Sequence, residues 1–280
     1  MLERERHTLL LRLVEERSII RVTELIDLIG ASEATIRRDI NELASRGEIR
    51  RIRGGVESTR PQHHAHLVGV PFAMNQDIRV PQKRAIARAA AALISPGESI
   101  IINGGTTTFA LAEFLTHSEL DILTNSFPIA AQLVATSRNR ITLPGGTLFR
   151  EQNIVLSPFQ NDSICNFWGS KLFTSCYGLN RYGLMEADPL IVQAQTKLLQ
   201  RAERVIVLAD SSKLRRQSSM VVTDLSRLAM LVTDDGALPE ELEPFHAANM
   251  TVIIAKVGAG DGTRYGNVSS IGPTLTLPSP

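Results

Sequence analysis

The chain has little cysteine. Only Cys165 and Cys176 occur among its 280 residues, so no disulfide framework and no paired-cysteine metal spacing is available. No run of about 18 apolar residues occurs, so no transmembrane helix is expected. The opening residues, Met1-Leu2-Glu3-Arg4-Glu5-Arg6, are charged and no apolar stretch follows them, which argues against a secretory signal. A reducing, cytoplasmic setting is expected. Charge of one sign is also missing overall, since the net value is +1. Lysine is absent before Lys83.

What is present is a hydrophobic share of 43%, enough for a sizeable core, and a basic segment near one end. From Arg37 to Arg53 six arginines stand against Asp39, Glu42 and Glu48. Arginine suits bidentate pairing with phosphate or guanine edges. A neutral chain with one basic end can still be steered to nucleic acid by its local field.

The spacing predicts a helix over 4–16 with Leu9, Leu10, Leu13 and Val14 as its stripe. A short β-branched strand follows over 17–21. A second helix spans 22–29, with Leu25, Leu28 and Ile29 expected inward, and Gly30 ends it. Ser32 is a natural N-cap for a third helix, and Glu33 suits its positive end. Residues 48–58 read as a hairpin turning at Arg53-Gly54-Gly55. Three helices and a hairpin make a winged helix-turn-helix over 1–57. Residues 58–81 lack periodicity, contain Pro61, Pro71 and Pro81, and read as a linker. Its His63, His64 and His66 have no carboxylate or cysteine at ligand spacing, so no metal site is expected. From 82 to 257, strands alternate with helices, as in an open α/β sheet. Residues 258–280 read as a disordered tail.

In the third helix, Ile36, Ile40 and Leu43 define a buried side. At 100° per residue, Ala34, Arg38, Asn41 and Ser45 then point away from the core, with Glu33, Thr35 and Arg37 on the flanks. Asp39 falls near the buried edge, where an internal salt bridge to an arginine is its expected role. The outer face offers a small residue, arginines and an asparagine, the types that read base edges or clamp phosphate. Arg50, Arg51 and Arg53 on the wing are placed to lie across the backbone or to enter the minor groove.

In the larger unit, Asn103-Gly104-Gly105-Thr106-Thr107-Thr108 follows a strand and opens a helix. Glycines permit close backbone approach, and hydroxyls with free N–H groups suit an anion. No lysine follows the glycines, so this is not a Walker A loop, and it is not GxGxxG; no cofactor is expected. Thr124-Asn125-Ser126, Pro144-Gly145-Gly146-Thr147 and Asp210-Ser211-Ser212-Lys213 also end strands, where ligands of open α/β sheets bind.

The run Ala31 to Ile40, with Gly47, Ile49 and Arg53-Gly54-Gly55, resembles the N-terminal signature of the DeoR family of bacterial transcriptional regulators. Lys83 with Ile86-Ala87, the loop at 103–108, Leu123 to Ser126, Gly145-Gly146, Phe173 to Ser175, Gly178, Gly183-Leu184, Lys197 and Asp210 to Lys213 resemble that family's effector domain. The resemblance implies a fold similar to ribose-5-phosphate isomerases and a phosphorylated sugar or related metabolite as effector. The expected effector residues are those of the 103–108 loop, Thr124, Asn125, Ser126, Gly145, Gly146, Arg150, Gln152, Tyr177, Glu186, Gln195, Lys197, Asp210 and Lys213. Asn103, the run Ile154 to Pro158, and Phe173-Thr174-Ser175 are most similar to the ascorbate-utilisation repressors, which implies a phosphorylated sugar acid such as ascorbate 6-phosphate. Three positions depart from the family pattern. Gln82 stands for a glutamate, Asn75 for an arginine and Gln195 for a glutamate, and the last changes the acceptors available to ligand hydroxyls.

The expected protein is therefore a repressor of carbohydrate catabolism that binds operator double-stranded DNA as a dimer or tetramer, at the nucleoid when bound and away from membranes. The competing expectation is a sugar-phosphate isomerase with an accessory N-terminal domain. Isomerisation needs a carboxylate base and a partner acid. Glu186 and Asp188 are the candidates, and no base-plus-acid pair is legible. A third expectation, a winged helix that binds protein, sits poorly with Arg37, Arg38 and Asn41 at the centre of the face.

Overall fold

The computed structural model describes residues 2–17, 19–52, 54–59 and 71–258. Arg53, the three linker histidines and the tail from 259 onward lie outside the described residues.

The N-terminal unit is built from α1 (Glu3–Arg17), β1 (Ile19–Arg21), α2 (Val22–Ile29), α3 (Glu33–Ser45), β2 (Ile49–Ile52) and β3 (Gly55–Ser58). The three strands form an antiparallel sheet in the order β1-β3-β2. Gly30 closes α2 in the left-handed conformation at φ 70°, and its N–H donates to the Ile26 carbonyl. Its core joins Leu10 and Val14 to Val22, Leu25 and Ile29, and to Ile36, Ile40 and Leu43. One expectation fails here: Leu28 is 47% exposed. Val22, Leu25 and Ile29, at i, i+3 and i+7, set the inward stripe, and Leu28 falls beside it.

The C-terminal unit is a seven-stranded parallel sheet in the order β15-β14-β12-β9-β4-β5-β6. Its strands are β4 (Ser99–Ile102), β5 (Asp121–Thr124), β6 (Arg140–Thr142), β9 (Gly169–Thr174), β12 (Ala202–Leu208), β14 (Met230–Asp234) and β15 (Thr251–Ala255). Central strands such as Ile100-Ile101-Ile102 are buried on both faces, as parallel sheets require. Two apolar clusters cover the two faces. One centres on Ile100, Ile102 and Phe173, the other on Ile101, Leu172 and Phe245.

Between the units, the segment expected to be an irregular linker is ordered where it is described. A one-turn helix α4 (Phe72–Asn75) precedes α5 (Val80–Ala91), which therefore starts before residue 82. The remaining helices are α6 (Thr106–Ala112), α7 (Phe127–Thr136), α8 (Pro189–Leu199) and α9 (Pro239–Ala247). The short strands β7 (Thr147–Phe149), β8 (Ile154–Leu156), β10 (Gly178–Asn180), β11 (Gly183–Glu186) and β13 (Met220–Thr223) were not expected. Each is three or four residues long, too short for a readable alternation.

From β4 the chain winds outward through β5 to β6, then returns to place β9 on the other side of β4. The loops leaving β4 and β9 therefore diverge, which makes a crevice at the carboxyl ends of these strands.

Candidate functional site

The outer face of α3 is exposed at Ala34, Arg37, Arg38, Asn41 and Ser45, while Ile36, Asp39, Ile40 and Leu43 are buried. Ser32 caps the helix by accepting from the Thr35 N–H at 3.2 Å, and its hydroxyl meets that of Thr35 at 2.8 Å. Glu33 and Arg37 form an exposed i,i+4 pair at 2.7 Å. Arg51 of the wing donates to the Asn41 side-chain Oδ1 at 2.6 Å, which ties wing to helix. Arg50 donates across the hairpin to Glu57 at 2.9 Å. Arg38 makes no hydrogen bond or ion pair among the described residues.

Asp39 is the strut the sequence placed at the buried edge. It is 1% exposed and accepts from Arg6 at 2.5 and 2.9 Å, with His7 Nε2 3.1 Å away. Burial pushes its pKa up, but the hydrogen bonds and charges of Arg6 and His7 outweigh that and hold it below the usual carboxylate value. The reading helix is thus pinned to α1. Glu3, His7 and Glu42 also bring their ligand-type atoms within 4.8 Å of one another, but His7 is already engaged by Asp39.

The second feature is a pocket at the crevice of the parallel sheet. Of the expected effector residues, Asn103, Gly104, Gly105, Thr106, Thr107, Gln152, Tyr177, Glu186 and Lys213 line it. Phe72, Asn75, Ser175, Cys176 and Arg216 join them and were not expected. Gly105 is required by crowding, because a Cβ there would sit 1.9 Å from Ser175 Oγ. Gly104 is similarly confined, with Ile154 Cγ2 2.3 Å from where a Cβ would lie.

Several other expected residues support the pocket from behind without lining it. Asn125 accepts from the Gly104 N–H at 2.8 Å and fixes the loop. Thr108 donates to the Gly105 carbonyl at 2.9 Å. Thr124 accepts from the Ser126 N–H at 3.1 Å, and Ser126 caps α7. Gln195 donates to Thr174 Oγ1 at 2.6 Å and to the Ser175 carbonyl at 2.9 Å. Asp210 caps the 3-10 turn Ser211–Lys213 and faces Arg79 at 3.2 Å. Lys197 donates to the Ser157 and Phe159 carbonyls at 2.9 and 2.8 Å and borders a second, smaller cavity. Gly145, Gly146 and Arg150 are exposed and lie outside the pocket lining. Gly146 serves the β7–β8 hairpin instead, where a Cβ would meet the Leu156 carbonyl oxygen at 2.1 Å. Asp188, one of the two candidate bases, caps α8 by accepting from the Leu190 N–H at 2.7 Å.

The pocket's electrostatics are set by burial. Lys213 is 9% exposed and its ammonium makes no hydrogen bond among the described residues. Burial lowers its pKa, Arg216 lowers it further, and Asp210 opposes both. Burial pushes the Glu186 carboxyl up to about 8 against the pull of Lys213. Lys83, behind the loop, is lowered to about 8, again chiefly by burial. The Arg216 guanidinium lies over the Tyr177 ring, 5.5 Å from its centroid. The site therefore presents cations, hydroxyls and backbone N–H groups, and a carboxyl that is neutral at pH 7. That set is chemically complementary to an anion bearing hydroxyls. Arg216 had a faint sequence signal, as a second cation three residues beyond Lys213. Asn75 was marked only as a departure from the family pattern and Phe72 carried no signal as a site residue, since both arrive from some thirty residues upstream of the loop.

Two family models match the chain. The DeoR-like helix-turn-helix domain matches residues 6–62, and the DeoR C terminal sensor domain matches residues 78–235. The chain is 32% identical over 253 residues to the HTH-type transcriptional regulator UlaR of Shigella dysenteriae serotype 1, covering 90% of this chain and 99% of that one. The UlaR of Escherichia coli O1:K1 is also 32% identical over the same shares. Among solved structures, ribose 5 phosphate isomerase A from Neisseria gonorrhoeae is similar at 16% identity and TM-score 0.33, over 47% of this chain and 52% of that one. No helix among the described residues is long and apolar enough to cross a membrane. Both UlaR relatives are named as transcriptional regulators and both parts of the chain match the family, so this chain belongs to the DeoR family of transcriptional regulators.

Proposed function

We propose that this regulator represses a carbohydrate-catabolism operon and that a phosphorylated sugar or sugar acid, bound in the pocket, releases it from its operator. The observation that carries the reading is the buried, unpartnered Lys213 beside Arg216, facing the hydroxyl- and N–H-lined loop at 103–107. A buried cation without a hydrogen-bonded counter-charge is costly, and an anionic ligand removes that cost. Two cations and a neutral Glu186 favour a ligand with more than one anionic group, as in a phosphorylated sugar acid.

On the DNA side, Arg37, Arg38 and Asn41 read or clamp the duplex, and Ala34 allows close approach. A homodimer or homotetramer places paired α3 helices on half-sites about one helical turn apart, roughly 34 Å. Ligand shifts operator affinity only through a difference in affinity between the operator-competent and released arrangements.

The test is a thermal-shift screen of sugar phosphates and phosphorylated sugar acids, followed by operator titrations with each hit. A phosphorylated compound that raises the melting temperature and weakens operator binding supports the reading. Stabilisation only by unphosphorylated sugars contradicts it.

A further inference from the structure

The segment from Phe72 to Asp77 touches both halves of the molecule. Towards the pocket, the Phe72 ring is 5% exposed and meets Phe109 edge-on, with centroids 5.6 Å apart. The Phe72 N–H donates to the Glu151 carbonyl at 2.8 Å. Asn75 Nδ2 donates to Thr106 Oγ1 at 3.1 Å, and the Asn75 carbonyl accepts from the Lys83 ammonium. Phe72 and Asn75 both face the cavity. Towards the DNA-binding unit, Arg12 of α1 donates to the Ala73 carbonyl and to Asp77 Oδ2, each at 3.2 Å. The segment then leaves through Arg79, a non-glycine residue in the left-handed region at φ 54°, held by Ser211 at 3.0 Å and Asp210 at 3.2 Å.

Most of these contacts sit on the one-turn helix Phe72–Asn75, with Asp77 in the turn that follows it. Such a turn is fixed by few bonds and opens at low free energy. One of those bonds, from Asn75 to Thr106, lies in the pocket wall, and Thr106 belongs to the loop that faces Lys213. On the same short stretch, the Ala73 carbonyl offers Arg12 an acceptor and Asp77, just past the helix, offers a countercharge.

We infer that the 72–77 turn is the coupling element that carries pocket occupancy to the winged helix, with Arg12 as its positioning residue on α1. A ligand that engages Thr106 or Asn75 competes for their mutual hydrogen bond. The turn shifts, and the Ala73 carbonyl and Asp77 loosen their hold on α1. Through Arg6 and His7, α1 also carries Asp39 of the reading helix, so the path ends at the DNA face. The inference rests on the pocket reading above, but it can be tested without a ligand.

Hydrogen exchange by mass spectrometry on the full chain compares wild type, Asn75→Ala, Arg12→Gln and the double variant. Asn75→Ala is expected to speed exchange over 72–77 in both backgrounds. It is expected to speed exchange in α1 by about two- to fivefold only where Arg12 is present, the range set by loss of an exposed ion pair. An α1 that does not respond, or responds equally without Arg12, overturns the inference. A parallel arm adds ascorbate 6-phosphate. Protection of residues 103–108 in wild type and Arg12→Gln alike, with the α1 change confined to wild type, supports the coupling. If 103–108 shows no protection, the pocket reading fails, and the four-variant comparison still decides the coupling.

Discussion

Replacing Asp39 by asparagine keeps the shape of the strut and removes its charge. Asp39 is 1% exposed and accepts two hydrogen bonds from Arg6, with His7 beside it. Breaking a fully buried ion pair costs about 3–5 kcal/mol. The Arg6 side chain keeps 14% exposure, so water partly rescues it, and the loss of Asp39's charge is set at about 2–3 kcal/mol. A winged-helix unit of roughly 57 residues holds about 3–9 kcal/mol in total. The substitution therefore removes a large part of its stability. Trp168 lies in the other unit and its fluorescence is blind to this event, so the assay is urea unfolding followed by hydrogen exchange in α1 and α3. The expected result is faster exchange in both helices and weaker operator binding. The pH dependence has a definite sign. The folded-state pKa of Asp39 is depressed, so its stabilisation is full above the unfolded value near 3.8 and lost as pH falls through the lower folded value. The asparagine variant should lack the Asp39 part of that dependence and keep the part due to other carboxylates. If α3 exchanges at the wild-type rate and operator affinity is unchanged, Asp39 does not pin the reading helix.

Further outcomes follow from the two faces. Arg38→Ala should cost about 1–3 kcal/mol of operator affinity and relax sequence preference at one base pair, measured by fluorescence anisotropy; unchanged binding refutes the assigned face. Effector affinity should fall as pH rises through about 8, because Glu186 ionises there and its carboxylate repels an anionic ligand. Calorimetry should find a slope of up to about tenfold per pH unit for each proton linked. Glu186→Gln should flatten the Glu186 part of that slope, and a slope unchanged by the substitution assigns the titration elsewhere.

The parts of the molecule governed by local chemistry were legible in the sequence. Gly30 and Ser32 mark the turn and cap before α3, and the 3.6-residue period separates Asp39 from Arg38. The runs of Ile and Val mark the central strands. The parts governed by tertiary packing were not. Leu28 looked inward because it sits among apolar neighbours, yet the stripe is set by Val22, Leu25 and Ile29. The pocket wall from Phe72 and Asn75 depends on a helix of one turn that has no period to read. Gly145 and Gly146 resembled a ligand loop, but the close approach at Gly146 is to the Leu156 backbone. Gln195 and Asn125 carry chemistry one layer behind the surface that the ligand would touch, where type alone cannot separate contact from support.

The central claim is that the pocket governs the hold on DNA through Lys213. It is tested most directly by titrating wild type and Lys213→Ala with a duplex selected by this protein from a random-sequence pool, in the presence and absence of ascorbate 6-phosphate. The ligand is expected to weaken duplex binding by wild type, while Lys213→Ala binds the duplex as tightly as wild type and ignores the ligand. A Lys213→Ala protein that still releases the duplex on adding the ligand would contradict it.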